Sequence, residues 1–145
     1  MNGHLFPDRA TEIDQYIAQL LVGESGGPFG LRLSPEEKAV LQAVRYHRGA
    51  ANAVPIRVLA DRLKMSDRQI KLIVRTLRIG FRLPIGSSKH GTDGGYFIII
   101  TPEDQAVFLK GPLDQIRAEL EVVRAVAGRQ SALELLGQLQ LEAKP

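Results

Sequence analysis

No cysteine occurs among the 145 residues, which removes disulfides, thiol nucleophiles and cysteine-based zinc sites together. Long apolar runs are also missing. No stretch approaches the roughly 18 consecutive apolar residues of a membrane-spanning helix, and mean hydropathy is −0.06. The segment Met1-Asn2-Gly3-His4-Leu5-Phe6-Pro7-Asp8 has neither a basic start nor an apolar core, so no secretory signal is expected. Histidine is scarce: none of His4, His47 and His90 stands at the sequence spacing of a metal-ligand pair, and neither metal nor cofactor is expected. A soluble, intracellular protein is the expectation.

Catalytic patterns are missing too. Gly86-x-Ser88-x-His90 lacks the final glycine of a nucleophile elbow and no helix follows it. The glycine-rich segment around it lacks the Gly-Lys-Ser/Thr ending of a phosphate loop. Glu36-Glu37 and Glu103-Asp104 sit at expected helix starts, where carboxylates favour the positive end of the helix dipole. The chain is expected not to be an enzyme.

What the sequence does contain is a hydrophobic fraction of 44%, enough for one core with appended helices, and an uneven charge. From Ser34 to Ile100 there are twelve Lys/Arg against five Asp/Glu, a net of +7, whereas the rest carries seven against eleven, −4, giving the total of +3. A basic middle between acidic ends is the asymmetry of a region that faces a polyanion.

Helical spacing of Ile13, Tyr16, Ile17, Leu20 and Leu21 predicts a helix over residues 9–22. The glycine-rich run from Gly23 to Gly30 then reads as a flexible linker, a tether on which that helix either sits apart from the main core or docks loosely on it. Ser34-Pro35-Glu36-Glu37 is a capping box with proline at the first helical position, opening a helix to about Arg48, where Gly49 stops it. Ala50 to Pro55 reads as a loop. Pro55 opens a second helix with Val58, Leu59 and Leu63 inward. Ser66-Asp67-Arg68-Gln69 is a second capping box, starting a third helix to about Ile79 that ends at Gly80.

The period then changes. Phe81 to Ile85 reads as a short strand and Tyr96 to Ile100 as a stronger one, joined by the segment from Gly86 to Gly95, too polar and glycine-rich to be buried. Thr101-Pro102-Glu103-Asp104 starts another helix. Ala106, Leu109, Leu113, Ile116, Leu120, Val123 and Ala127 alternate spacings of three and four, a heptad seam. Gly111-Pro112 should break or kink it, because the residue before proline resists the helical region, with a helix from Pro112 to about Ala127 beyond. After a turn at Gly128-Arg129-Gln130, a leucine-rich helix spans Ser131 to about Leu141. The seam either packs back on the winged helix and completes its core or pairs with a second copy. Seven seam positions exceed what a small domain needs to cover itself, so Leu109, Leu113, Ile116, Leu120 and Val123 are candidate homodimer contacts.

On the third helix, Ile70, Ile73, Val74 and Leu77 form a buried stripe that aims Arg68, Lys71, Leu72 and Arg75 outward, with Gln69, Thr76 and Arg78 alongside. Arginine and lysine there can neutralise phosphates or bond guanine edges, Gln69 can pair with adenine, and Leu72 can touch a thymine methyl. The candidate DNA-binding residues are Ser66, Arg68, Gln69, Lys71, Leu72, Arg75 and Arg78 on this helix, and Ser88, Lys89 and His90 at the hairpin tip. An exposed Leu72 also suits a protein interface.

Three helices followed by a β-hairpin is the order of a winged helix. Ser34 to Ile100 resembles the winged helix-turn-helix domains of prokaryotic regulators, such as the N-terminal domain of biotin-operon repressors. It is still more similar to small helix-turn-helix proteins of phages and prophages. The residues that carry the resemblance are Leu59-Ala60-Asp61-Arg62-Leu63, Ser66-Asp67-Arg68-Gln69-Ile70, Leu77-Arg78, Leu83-Pro84-Ile85-Gly86-Ser87-Ser88-Lys89 and Gly95-Tyr96-Phe97. Gly91-Thr92-Asp93-Gly94 lengthens the wing beyond the usual form, and Asp93 places an anion near it.

The expected fold is mainly α (α+β): an N-terminal helix and linker over 1–30, a winged helix-turn-helix over 31–101, and a helical dimerisation region over 102–145. The resemblance implies non-catalytic, sequence-specific binding of double-stranded DNA as a transcriptional regulator, in the cytoplasm of a prokaryotic cell or a phage-infected host. Phage or plasmid replication or maintenance is the alternative role, and a winged-helix protein-interaction adaptor the alternative mechanism.

Overall fold

The computed structural model describes residues 2–23, 27–88 and 94–143. It is mainly helical with one small antiparallel sheet and divides into two compact units, Met1–Phe108 and Leu109–Pro145. Among the described residues, no helix is long and apolar enough to cross a membrane.

The first unit contains α1 (Asn2–Val22), α2 (Pro35–Val44), β1 (Val54–Pro55), α3 (Ile56–Leu63), α4 (Asp67–Ile79), β2 (Ile85–Ser87), β3 (Gly95–Ile98) and the start of α5 (Pro102–Ala127). α1 is longer than its apolar spacing suggests, and it is not set apart on a tether. Ile13, Ile17 and Leu20 are buried in the same cluster as Val40, Leu41, Val44, Leu59, Ile70, Val74 and Leu77. The Tyr16 hydroxyl donates to the Phe81 carbonyl at 2.6 Å, and Asp14 pairs with Arg48. Within the glycine-rich run, Pro28–Gly30 forms one 3-10 turn.

Ser34 caps α2 as expected: its Oγ accepts from the Glu37 N–H at 3.2 Å while Glu37 Oε1 accepts from the Ser34 N–H at 2.8 Å. The helix stops at Val44 rather than near Arg48 because the sheet claims the following backbone. The Ile98 N–H donates to the His47 carbonyl at 2.7 Å, and the Gly49 N–H donates to the Ile98 carbonyl at 3.0 Å. Gly49 has φ +83°, a left-handed conformation that glycine adopts without steric cost.

The stretch expected as a loop contains β1. Val54 pairs with Tyr96 and Pro55 with Gly95, giving a three-stranded sheet in the order β1-β3-β2. Proline is tolerated there because β1 lies at the sheet edge. In α3 the inward residues are Ile56, Leu59 and Leu63, at steps of three and four, whereas Val58 is exposed. α3 ends on Lys64 in the left-handed region, φ +57°.

No strand forms from Phe81 to Pro84, where Arg82 takes φ +58°. Phe81, Leu83 and Ile85 are still buried while Arg82 points to solvent, so the alternation that suggested a strand is satisfied without a ladder. β2 and β3 pair Ile85 with Ile98, Gly86 with Phe97 and Ser87 with Tyr96. β3 closes at Ile98, short of Ile100. Gly86 and Gly95 are buried, against the expectation for that segment. A Cβ at Gly86 would lie 2.6 Å from Phe97 Cζ, and one at Gly95 would overlap the Val54 backbone. Glycine is what lets the strands close here.

The second unit holds the rest of α5 and α6 (Arg129–Ala143). α5 runs through Gly111-Pro112 as one helix, so of the expected break or kink the break does not occur. Proline disfavours a helical predecessor partly by clashing with its Cβ, and Gly111 has none. The missing N–H of Pro112 still forfeits one backbone bond. No residue of α5 is buried, and Ala132 is the one buried hydrophobic residue among those described in this unit.

Candidate nucleic-acid interface

α4 is set by a local signal and oriented by the core. Ser66 Oγ accepts from the Gln69 N–H at 3.1 Å and Gln69 Oε1 accepts from the Ser66 N–H at 2.9 Å. Asp67, in the first turn, complements the helix dipole. Ile70, Val74 and Leu77 are fully buried and Ile73 packs partly against the same cluster. That stripe leaves Arg68, Gln69, Lys71, Leu72, Arg75 and Thr76 exposed.

The arginine and lysine heads on this face have no carboxylate partner: among the described residues, the ion pairs involve Arg48, Lys110, Arg117 and Arg124. A cation of this kind retains its whole capacity for an external anion. Leu72, at their centre, is 56% exposed. Two proposed polar readers are already engaged. The Ser66 hydroxyl and the Gln69 amide oxygen hold the capping box, and bidentate pairing with adenine would draw on that same oxygen.

Arg78 departs from the expected arrangement. Its Nε donates to the Ile85 carbonyl at 2.7 Å. Its guanidinium carbon lies 5.6 Å from the Tyr96 ring centroid and 4.9 Å from that of Phe108. Nη2 is buried without a hydrogen-bond partner. Burial holds the Arg78 pKa below the ordinary arginine value, with Tyr96 acting in the opposite sense. The Tyr96 hydroxyl is pushed up chiefly by its own burial, Arg78 opposing and Asp67 reinforcing the shift. Arg78 therefore ties the end of α4 to the base of the hairpin and to the start of α5, and is turned away from the cationic face. The helical spacing that placed it beside Arg75 shows no sign of the ring pair that draws it inward.

At the hairpin, Ser88 is half-buried and exchanges backbone hydrogen bonds with Gly95 at 2.9 and 3.1 Å, extending the ladder one pair beyond β2. Lys89 and His90, with Gly91-Thr92-Asp93 of the expected wing, lie outside the described residues. The structure adds exposed cations that helix spacing did not single out: Arg57 and Arg62 on α3, Lys64 at its end, and Arg82 after α4. The net charge of the segment was their only signal.

The proposed self-association residues lie in the second unit. Leu109, Leu113 and Ile116 are exposed, and Leu120 and Val123 half-buried. Comparison with known proteins found no matching family model, no similar curated protein and no similar solved structure.

Proposed function

We propose that the first unit is a winged helix-turn-helix that binds double-stranded DNA without catalysis, with α4 in the major groove and the β2–β3 hairpin as the wing. One observation carries the reading: the solvent-facing side of α4 presents Arg68, Lys71 and Arg75 with no carboxylate partner among the described residues. A rigid buried stripe behind them holds these charges in one row, as phosphate contact and groove reading require. Arg62, Lys64 and Arg82 add exposed positive charge in the same unit. The work this suits best is transcriptional regulation, with phage or plasmid replication or maintenance drawing on the same contact.

The test is duplex binding by fluorescence anisotropy across salt. Affinity should fall steeply between about 50 and 200 mM salt, with a log–log slope of about −0.9 per neutralised phosphate. Arg68→Ala with Arg75→Ala should weaken binding and flatten that slope by up to about 2. Equal binding by wild type and double variant at every salt concentration would remove α4 as the reader. The exposed Leu72 supports one further reading, a protein-interaction adaptor, whose leucine-based contact would be nearly indifferent to salt.

A further inference from the structure

We infer that the second unit is an interface for a second copy of this chain, paired through the α5 seam in parallel and in register. Leu113 and Ile116 are 47% and 59% exposed, and no residue of α5 is buried. Helices in proteins gain most of their stability by packing an amphipathic face, and along this seam only Leu120 and Val123 are even half-buried.

Charge selects the occupant. Leu109–Pro145 holds five Lys/Arg and five Asp/Glu, so it offers no net attraction to a polyanion or a polycation. With Leu113 and Leu120 at heptad position a, and Leu109, Ile116 and Val123 at d, position e is Lys110, Arg117 and Arg124 throughout. These cations are partly neutralised on their own helix. Lys110 pairs with Asp114 at 3.0 Å, Arg117 with Asp114 at 3.8 Å and Arg124 with Glu121 at 3.6 Å.

Charge also selects the direction. In a parallel pair, each g residue faces the e residue five positions on in the other helix, so Glu119 meets Arg124 of the second copy, twice by symmetry. An antiparallel pair would set the cationic e row against itself, where like charges oppose association. The parallel pair is two-fold symmetric and carries two copies of α4. Where the first unit reads DNA as proposed above, the target is then a palindrome of two half-sites.

The absence of cysteine gives a clean test on the full chain without DNA, so its outcome is independent of the DNA reading. Ile116→Cys and Val123→Cys each place one thiol at a d position, and Ala118→Cys places one on the outer surface of the helix. A disulfide needs Cβ atoms about 4 Å apart, which in-register parallel helices supply at every d position. Mild oxidation should cross-link the Ile116 and Val123 variants to dimers and leave the Ala118 variant uncross-linked, with the unmodified chain sedimenting at twice its mass. Glu119→Lys should weaken dimerisation several-fold, and adding Arg124→Glu should restore it. A monomeric wild-type mass would overturn the interface. Cross-linking of only one d variant, or failure of the charge swap to rescue, would overturn the parallel register.

Discussion

In α1, Ile13, Ile17 and Leu20 are buried in the main core, whereas in α5 Leu113 and Ile116, at similar helical spacing, are 47% and 59% exposed. Both helices announce an apolar face, and the spacing is equally regular in each. The difference is what covers the face. In the first unit, neighbouring helices and a sheet are available. In the second, Ala132 is the one buried hydrophobic residue described. Periodicity thus identifies a face and is silent about its occupant, which the rest of the fold or another molecule must supply.

The sharpest way to break this contrast is truncation on either side of it. All three tyrosines, Tyr16, Tyr46 and Tyr96, lie in the first unit and the chain has no tryptophan, so tyrosine fluorescence reports on that unit alone. Leu41, fully buried, should cost about 2–5 kcal/mol on mutation to alanine, a large downward shift of the urea midpoint. Ile116→Ala should leave that midpoint within about 0.5 kcal/mol of wild type while reducing self-association. A fall of comparable size in both would mean that the two units unfold as one.

A smaller effect separates two classes of cation within the first unit. Arg78→Met removes the donor to the Ile85 carbonyl and the charge between Tyr96 and Phe108. Losing a part-buried hydrogen bond of this kind costs about 1–3 kcal/mol. Arg75→Ala, on the exposed face, should be neutral to within about 0.5 kcal/mol and should act on DNA affinity instead. If Arg78→Met unfolded at the wild-type midpoint and lost duplex binding, Arg78 would belong with the readers after all. Smaller still is Ser66→Ala, which should cost about 1 kcal/mol by removing the cap of α4, read as a lowered urea midpoint.

These cases mark where the fold could be read from the sequence. The two capping boxes at Ser34 and Ser66 and the ends of α4 were legible because their partners lie within four residues. The buried stripe of α4 was legible because it repeats over two turns. β1 was not, since two residues are too few to show alternation and Pro55 resembles a helix start. Arg78 could not be distinguished from Arg75, because its orientation depends on Tyr96 and Phe108, which lie 18 and 30 residues further along the chain. The closure of the hairpin over Gly86 depends likewise on Phe97 across the sheet.

Leu72 is the point where the two regions can be compared on the smallest scale, since it is an exposed apolar side chain in the unit that holds the main core. Arg68, Lys71 and Arg75 surround it within one turn, so a purely apolar protein partner would have to desolvate three cations to reach it. A duplex would pair with those cations and offer an apolar group at the groove surface, the thymine methyl. Leu72→Ala should leave stability unchanged. Replacing thymine by uracil in the bound site should weaken wild-type binding by about 0.8 kcal/mol for each methyl removed from the leucine contact, close to fourfold. The Leu72→Ala protein should bind both duplexes alike. If wild type also bound them alike, at a salt where the Arg68/Arg75 variant is clearly weaker, the leucine would be facing something other than a base while the cations still held the phosphates.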